Sequence, residues 1–272
     1  MNSVDAVKIS PKSKTRVLVV ANQKGGVGKT TTTVNLATAL VAIKKRVLII
    51  DFDPQGNATT GLGFDRSQIK TSSYSVLIEG AGFNSAVLAT DIPRLSIVPA
   101  SVHLAGAEVE LVNAERREYR LADALDTLGV GAFDYVLIDS PPSLNLLTIN
   151  ALTAADAVLV PLQVEFYALE GLSHLLSTIE RVRRAFNPRL DIQGVVLTMF
   201  DQRNNLSEMV AEDVRSHLGD KVYSTIIPRN VRISEAPSFG KPVLLYDHSC
   251  AGARAYIHLA GELLKRERAV AA

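Results

Sequence analysis

Asn22-Gln23-Lys24-Gly25-Gly26-Val27-Gly28-Lys29-Thr30-Thr31 is the stretch that decides the fold of this 272-residue chain. It follows an apolar run at residues 17–20 and opens into residues 32–43, where apolar side chains recur at helical spacing. A glycine-rich turn between a buried strand and a helix can hold a phosphate. Glycine has no Cβ to hinder the anion, and the N-terminus of the helix adds a partial positive charge.

The second half of this stretch fits a P-loop, in which Lys29 would reach the terminal phosphates and Thr30 would bind magnesium. The first half differs, because Gln23 stands where the ordinary pattern has glycine and Lys24 adds a second cation. The alternative is a chance glycine turn with two surface lysines. The order of strand, loop, helix and a later acidic strand end favours the P-loop.

Residues 24–31, Lys-Gly-Gly-Val-Gly-Lys-Thr-Thr, resemble the deviant Walker A signature of the ParA/MinD ATPases. The resemblance runs from about Arg16 to the C-terminus and implies ATP and Mg²⁺ as cofactors. It also implies that Lys24 reaches the nucleotide phosphates of the opposite subunit in an ATP-bound homodimer. The residues that it assigns to the nucleotide are Lys24, Gly25, Gly26, Val27, Gly28, Lys29, Thr30 and Thr31.

Two carboxylates follow the second predicted strand, residues 46–50. Asp51 and Asp53 are separated by one residue, so on an extended chain they point the same way, at the strand end where catalytic groups of parallel sheets lie. By resemblance, Asp53 positions the attacking water and Asp51 supports the magnesium site. The alternative is an ordinary turn containing Asp, Pro and Gly.

Residues 133–139 have the form of a Walker B strand, in which apolar residues run into an acid. Asp139 would lie beside the P-loop and hold magnesium through water. The Ser140-Pro141-Pro142-Ser143 segment that follows matches the switch II segment of the family, whose geometry depends on the γ-phosphate.

Strands alternate with helices along the whole chain, which predicts an α/β fold with one doubly wound, mostly parallel sheet flanked by helices. We expect a three-layer α/β/α P-loop NTPase domain at residues 15–272, preceded by a flexible tail at residues 1–14. A long helix is predicted at 104–128. The remaining strands are predicted at 95–99, 157–162, 194–199 and 222–227.

The composition favours a soluble cytoplasmic protein. The formal net charge is +1, and no apolar run approaches the roughly 18 residues of a membrane span. A contact with DNA must therefore come from a local patch. A single cysteine, Cys250, provides too few thiolates for the iron–sulfur carriers built on this fold.

The resemblance implies a DNA-binding surface that contains Arg203 and Arg232, with Lys241 as a third candidate. Sequence-independent binding needs several cations facing phosphates. The alternative is that each is an ordinary solvated side chain. Pro228 and Arg229 stand where the family packs the adenine.

The function that these features favour is ATP-dependent DNA segregation of the ParA type, in association with the nucleoid. Its implied partners are nonspecific double-stranded DNA and a centromere-bound ParB-type protein that stimulates hydrolysis. One alternative is a membrane-associated ATPase of the MinD type. It is disfavoured because only Ala and Val provide an apolar face beyond Leu264. The other alternative is an ATP-dependent metabolic enzyme on the same fold.

Overall fold

The structure is a computed structural model that describes residues 15–129, 131–165 and 167–271, so the predicted tail at residues 1–14 lies outside the described residues. Seven strands form one sheet in the order β3-β4-β2-β5-β1-β6-β7. In chain order they are β1 Arg16–Val20, β2 Val47–Asp51, β3 Leu88–Ala89, β4 Leu95–Val98, β5 Tyr135–Asp139, β6 Ala157–Gln163 and β7 Asp191–Thr198.

The strand register brings the ends of β1, β2 and β5 together. Val20 pairs with Asp139, and Asp51 pairs with Asp139 from the other side. All pairs in the sheet are parallel except β3 with β4. Every residue of β2 and β5 is buried, as expected for parallel strands covered on both faces.

Twelve α-helices are described in this part of the chain: α1 Lys29–Ala42, α2 Asn57–Gly61, α3 Ser73–Leu77, α4 Phe83–Ala86, α5 Ala107–Glu110, α6 Arg120–Leu125, α7 Leu146–Ala154, α8 Ala168–Ala185, α9 Asn205–Leu218, α10 Val231–Glu235, α11 Val243–Tyr246 and α12 Ala251–Ala271. Short 3₁₀ helices are found at Arg66–Gln68, Val102–Gly106, Gly219–Lys221 and Ala236–Phe239.

The helices cover both faces of the sheet. On one face, α1 and α12 pack through buried residues such as Leu36, Leu40 and Leu259. On the other face, α7 and α8 pack through residues such as Leu152 and Leu172. This confirms the predicted three-layer α/β/α architecture. Within the described ranges, no helix is both long enough and apolar enough to cross a membrane.

The strand predicted at residues 222–227 is wrong. The backbone N–H groups of Tyr223 and Ile227 do bond to β7, but only isolated bridges form. Between them, the amides of Ser224 and Thr225 bond to the Glu262 carboxylate at 2.8 and 2.9 Å. The ladder is interrupted because a side chain of α12 accepts these two hydrogen bonds.

The continuous helix predicted at residues 104–128 is also wrong. The segment forms one 3₁₀ helix and the short helices α5 and α6, separated by turns. Arg116 lies in this break with a φ of 52°, in the left-handed region that a helix interior does not allow. The Asn150 side chain accepts from the Leu121 amide and donates to the Arg117 carbonyl, so it replaces the missing helical partners.

Candidate functional site

The glycine-rich loop connects β1 to α1 at the carboxyl edge of the sheet. Gly26 and Gly28 have φ angles of 75° and 88°, which glycine adopts without a steric penalty. The Thr198 hydroxyl, at the end of β7, donates to the Val27 carbonyl at 2.9 Å. The loop is therefore fixed to the sheet, with Val27 buried beneath it.

Lys29 is a buried cation at the start of α1. Its Nζ donates to the Lys24 carbonyl at 2.8 Å, within the loop. Burial lowers the pKa of Lys29, while the charges of Asp139 and Asp53 act in the opposite direction. A cation that has lost much of its hydration forms strong charge-assisted hydrogen bonds with an anion such as phosphate.

Asp51 and Asp139 form a buried carboxylate pair on neighbouring strands. Asp51 Oδ2 accepts from the Thr59 amide at 2.8 Å and from the Thr59 hydroxyl at 2.6 Å. Burial raises the pKa of Asp51 to about 6, although these hydrogen bonds oppose the change. Burial and the charge of Asp51 raise the pKa of Asp139 above its ordinary value, and the neighbouring Thr30 and Lys29 oppose this change. A bound cation would stabilise the charged forms of two carboxylates that lie this close together away from water.

Asp139 has an acceptor atom suited to a metal. Its Oδ1 accepts from the Thr33 hydroxyl at 3.2 Å, whereas its buried Oδ2 has no hydrogen-bond partner among the described residues. Within those residues, no group of three His, Cys, Asp or Glu side chains could hold a metal by itself. This arrangement fits Mg²⁺, which usually keeps several waters and takes few protein ligands beside the phosphates of a substrate.

A cavity of about 410 Å³ lies over the loop. Asp51 and Asp139 are fully buried and do not line it. Its wall brings together side chains from the loop, from the end of β2 and from the segment that follows α10. The predicted site residues that line it are Gly25, Gly26, Gly28, Lys29, Thr30, Thr31, Asp53 and Lys241.

Lys24 lies outside this cavity. Its side chain is 50% exposed and forms an ion pair with Glu165 of the same chain, just after β6. The two lysines of the loop are therefore held differently, since Lys29 is buried and Lys24 faces outward at the edge of the loop.

The structure does not bring Pro228 and Arg229 to the wall of the 410 Å³ cavity. They line a second cavity of about 850 Å³, together with Arg203. The Arg229 amide donates to the Phe200 carbonyl at 2.9 Å, which joins the two loops beside β7. The assignment of Pro228 and Arg229 to an adenine therefore stays a prediction.

The three predicted DNA-binding cations lie in different surroundings. Arg203 is 88% exposed and pairs with Asp201 at 2.8 Å, whereas Arg232 pairs with Glu235 at 2.9 Å. Lys241 lines the cavity over the loop. Exposed ion pairs of this kind contribute about 0–1 kcal/mol, so phosphates could compete for both arginines.

Arg66 is a site residue that the sequence did not reveal. Its guanidinium donates to the Gln55 carbonyl at 2.6 Å and to the Pro54 carbonyl at 2.9 Å, directly after Asp53. A Cβ at Gly56 would lie 2.8 Å from this guanidinium, so the close approach requires glycine. Arg66 thus fixes the loop that carries Asp53. Arg66 itself lies in a stretch of sequence with no recognisable motif.

Comparisons with known proteins agree on one family. A family model described as an AAA domain matches residues 15–192. The chain is 63% identical over 254 residues to the chromosome partitioning protein ParA of Caulobacter vibrioides, covering 93% of this chain and 95% of that protein. It is 52% identical over 248 residues to the sporulation initiation inhibitor protein Soj of Bacillus subtilis, covering 91% of this chain and 98% of that protein.

Solved structures have the same fold. Cobyrinic acid a,c-diamide synthase from Mycobacterium smegmatis with bound ADP and magnesium superimposes with a TM-score of 0.82 and 40% identity, covering 93% of this chain and 96% of that one. A plasmid partition protein of Borrelia burgdorferi, at 24% identity and a TM-score of 0.75, supports the fold alone. Together with the loop, the paired carboxylates and the sheet order, the 63% identity places this chain in the ParA family of chromosome-partitioning ATPases.

Proposed function

We propose that this chain is a Mg²⁺-dependent ATPase whose ATP-bound homodimer binds DNA without sequence preference. The observation that carries the proposal is the convergence of Lys29 and Asp53 on one cavity beside the unpartnered oxygen of Asp139. The similar Mycobacterium smegmatis protein has been solved with ADP and with an ATP analogue, in both cases with magnesium. These complexes support the same ligands here.

Each site residue has a distinct role in this proposal. Lys29 and the loop amides bind the phosphates, and Thr30 and Asp139 hold the magnesium, which neutralises phosphate charge when bound. Asp51 supports the metal from behind, because its Oδ2 already accepts two hydrogen bonds from Thr59. Asp53, which is only 6% exposed and faces the cavity, orients the attacking water.

The position of Lys24 supports a role across a dimer interface. Its amine is bound by Glu165 and does not line the cavity of its own chain. An exposed ion pair contributes only about 0.2–1 kcal/mol, so Lys24 can leave Glu165 readily for the phosphates of a second subunit. Assembly would then depend on the nucleotide.

The cycle that follows is a two-state switch. The phosphates hold the loops after β2 and β5 in the form that favours the dimer, and the dimer binds the nucleoid through Arg203, Arg232 and Lys241. A centromere-bound ParB-type protein stimulates hydrolysis, which returns the chain to the released state. The name of the Caulobacter relative supports this role over that of a metabolic enzyme, since it shares 63% identity against 40% for the diamide synthase.

The proposal is tested by measuring phosphate release from ATP with Mg²⁺ and with excess EDTA, and the sedimentation of the protein with ATP, ADP or no nucleotide. We expect hydrolysis only with Mg²⁺ and a dimer only with ATP. Hydrolysis without a metal, or dimerisation that does not depend on the nucleotide, would contradict the proposal.

We expect Arg66→Ala to lower the turnover of ATP by about 10-fold while the KM changes little. The reason is that the loop carrying Asp53 loses two charge-assisted hydrogen bonds, each contributing about 1.5–3 kcal/mol, without losing a phosphate contact. Steady-state phosphate release measures both constants. Arg66→Lys can restore one of the two bonds and should recover part of the rate; equal effects on kcat and KM would refute this positioning role.

We expect Arg232→Glu to weaken binding to duplex DNA and to leave ATP hydrolysis without DNA unchanged. One phosphate contact is lost, so the slope of log K against log salt should fall by about 0.9. Fluorescence anisotropy on DNA of unrelated sequence at several salt concentrations gives this slope. Arg184→Glu on α8, whose side chain is 80% exposed, is the matched control. An unchanged slope for Arg232→Glu removes that residue from the DNA surface.

A further inference from the structure

A row of basic side chains runs along the exposed side of α12. Arg254, His258, Lys265 and Arg268 are exposed, and so is Gly261 between them. Their spacings of four, three, four and three residues place all five on one face of the helix. From Arg254 to Arg268 this face extends about 21 Å, at 1.5 Å per residue. We call these four basic residues the α12 stripe.

The acidic residues of α12 face the body of the protein. Glu262 accepts from the Ser224 and Thr225 amides, and Glu267 pairs with Arg16 at 3.0 Å. The helix therefore segregates its charges. Its carboxylates attach it to the domain, and its exposed cations remain on the opposite face.

The cations of the α12 stripe differ from those predicted from the sequence. Arg203 and Arg232 each have a carboxylate partner. Of the ion pairs formed between described residues, none involves Arg254, Lys265 or Arg268. An anion can approach these three side chains without first displacing a carboxylate.

The stripe is continuous with the second cavity. Arg254 and His258 line that cavity together with Arg203 and Arg229. The cavity thus collects basic side chains from the loop after β7, from the loop before α10 and from the first turns of α12. A series of basic side chains therefore extends from Arg203 along α12, away from Lys241 at the first cavity.

The composition of this face favours a polyphosphate over a lipid surface. A membrane-binding helix needs bulky apolar side chains beside its cations. Among residues 251–269 the one bulky apolar side chain that is exposed is Ile257, at 44%. Gly261 is also exposed between the basic residues of the stripe, and a Cβ there would meet no atom within 4 Å. A glycine in a helix costs about 0.5–1 kcal/mol relative to alanine, and here it leaves the middle of the stripe flat enough for a backbone to approach.

We infer that the α12 stripe is a second track for the phosphate backbone of duplex DNA, continuous with the Arg203 cavity. The inference rests on the proposed function, because it concerns the DNA that the ATP-bound dimer would hold. The phosphates of one DNA strand would run along the helix face, with ion contacts at both of its ends. The contacts are sequence-independent, because only phosphate oxygens face the cations.

The test is the double variant Arg254→Glu/Lys265→Glu, assayed with ATP on duplex DNA of unrelated sequence over a series of salt concentrations. The affinity should fall by about 10-fold or more, and the slope of log K against log salt should decrease by about 1.8 for two lost phosphate contacts. ATP hydrolysis without DNA should keep its wild-type rate, which also shows that the variant is folded.

The matched control is Arg181→Glu/Arg184→Glu on α8, which makes the same charge change at exposed positions on the opposite face of the sheet. It should keep the wild-type slope. If both variants lose DNA affinity equally, or if the salt slope of the α12 variant is unchanged, the inference is wrong. As long as the wild type binds DNA with ATP, either result leaves the proposed function intact. If the wild type itself does not bind DNA with ATP, both the proposed function and the inference about α12 are wrong.

Vesicles with a high content of anionic phospholipid provide the last comparison. We expect the wild type to prefer duplex DNA over such vesicles at equal salt. If the α12 variant loses binding to vesicles but not to DNA, the stripe is a membrane-binding surface, and the inference is wrong.

Discussion

Lys29→Ala should weaken ATP binding by about 100-fold or more, the largest loss that we expect from any single substitution. Lys29 provides the buried cation of the cavity, and each charge-assisted hydrogen bond to a phosphate contributes about 1.5–3 kcal/mol. Lys24, the other lysine of the loop, cannot replace it from the same chain, because Lys24 does not line the cavity. Equilibrium binding of a fluorescent ATP analogue measures the effect.

Lys70→Ala is the control for this substitution, because Lys70 is exposed and does not line the cavity. It should bind the analogue as the wild type does. Circular dichroism should show that Lys29→Ala retains its secondary structure. If Lys29→Ala binds the analogue with wild-type affinity, the glycine-rich loop is not the phosphate site.

Asp53→Ala should reduce ATP hydrolysis by about 100-fold or more and leave ATP-dependent dimerisation intact. Orientation and proton transfer by one positioned side chain typically contribute about 10²–10⁴-fold to a rate. Asp53 belongs to the cavity wall, but in our proposal Asp139 holds the metal and Lys29 binds the phosphates. Binding and assembly should therefore persist without turnover.

Phosphate release and sedimentation with ATP measure these two properties. Asp91→Ala, which removes an exposed carboxylate in the turn before β4, is the control and should behave as the wild type. An Asp53→Ala protein that hydrolyses ATP normally would refute the water-positioning role. One that no longer dimerises would instead place Asp53 among the ligands that hold the nucleotide.

The core of the site could be predicted from the sequence because its parts are local. The glycine turn between an apolar strand and a helix identified the loop, and the acids at the ends of β2 and β5 identified the carboxylates. Parallel strands end at the same edge of a sheet, so these separate segments had to meet. The pairing of Asp51 with Asp139 is the structural result of that rule.

Features set by contacts between distant parts of the chain could not be predicted. The Glu262 carboxylate that interrupts the ladder at Ser224 lies 38 residues further along the chain. The Lys24–Glu165 pair and the two hydrogen bonds of Arg66 likewise depend on the folded chain. Neither the hydrophobic periodicity nor any motif in the sequence indicates such contacts.

The α12 stripe is an intermediate case. Its cations are visible in the sequence, but Arg266 and Glu267 lie among them with no sign of which way each points. The structure shows which side chains face outward. Glu262 and Glu267 attach the helix to the domain, so Arg254 and Lys265 lie on its exposed side.

The central claim is that one chain couples an ATP site to a DNA surface. Its most direct test is binding of the wild type to unrelated duplex DNA with ATP, ADP or no nucleotide, at two salt concentrations. We predict tight binding with ATP alone that weakens steeply with salt, as expected for contacts to phosphates. Equal binding in all three nucleotide states, or none in any, would contradict the account.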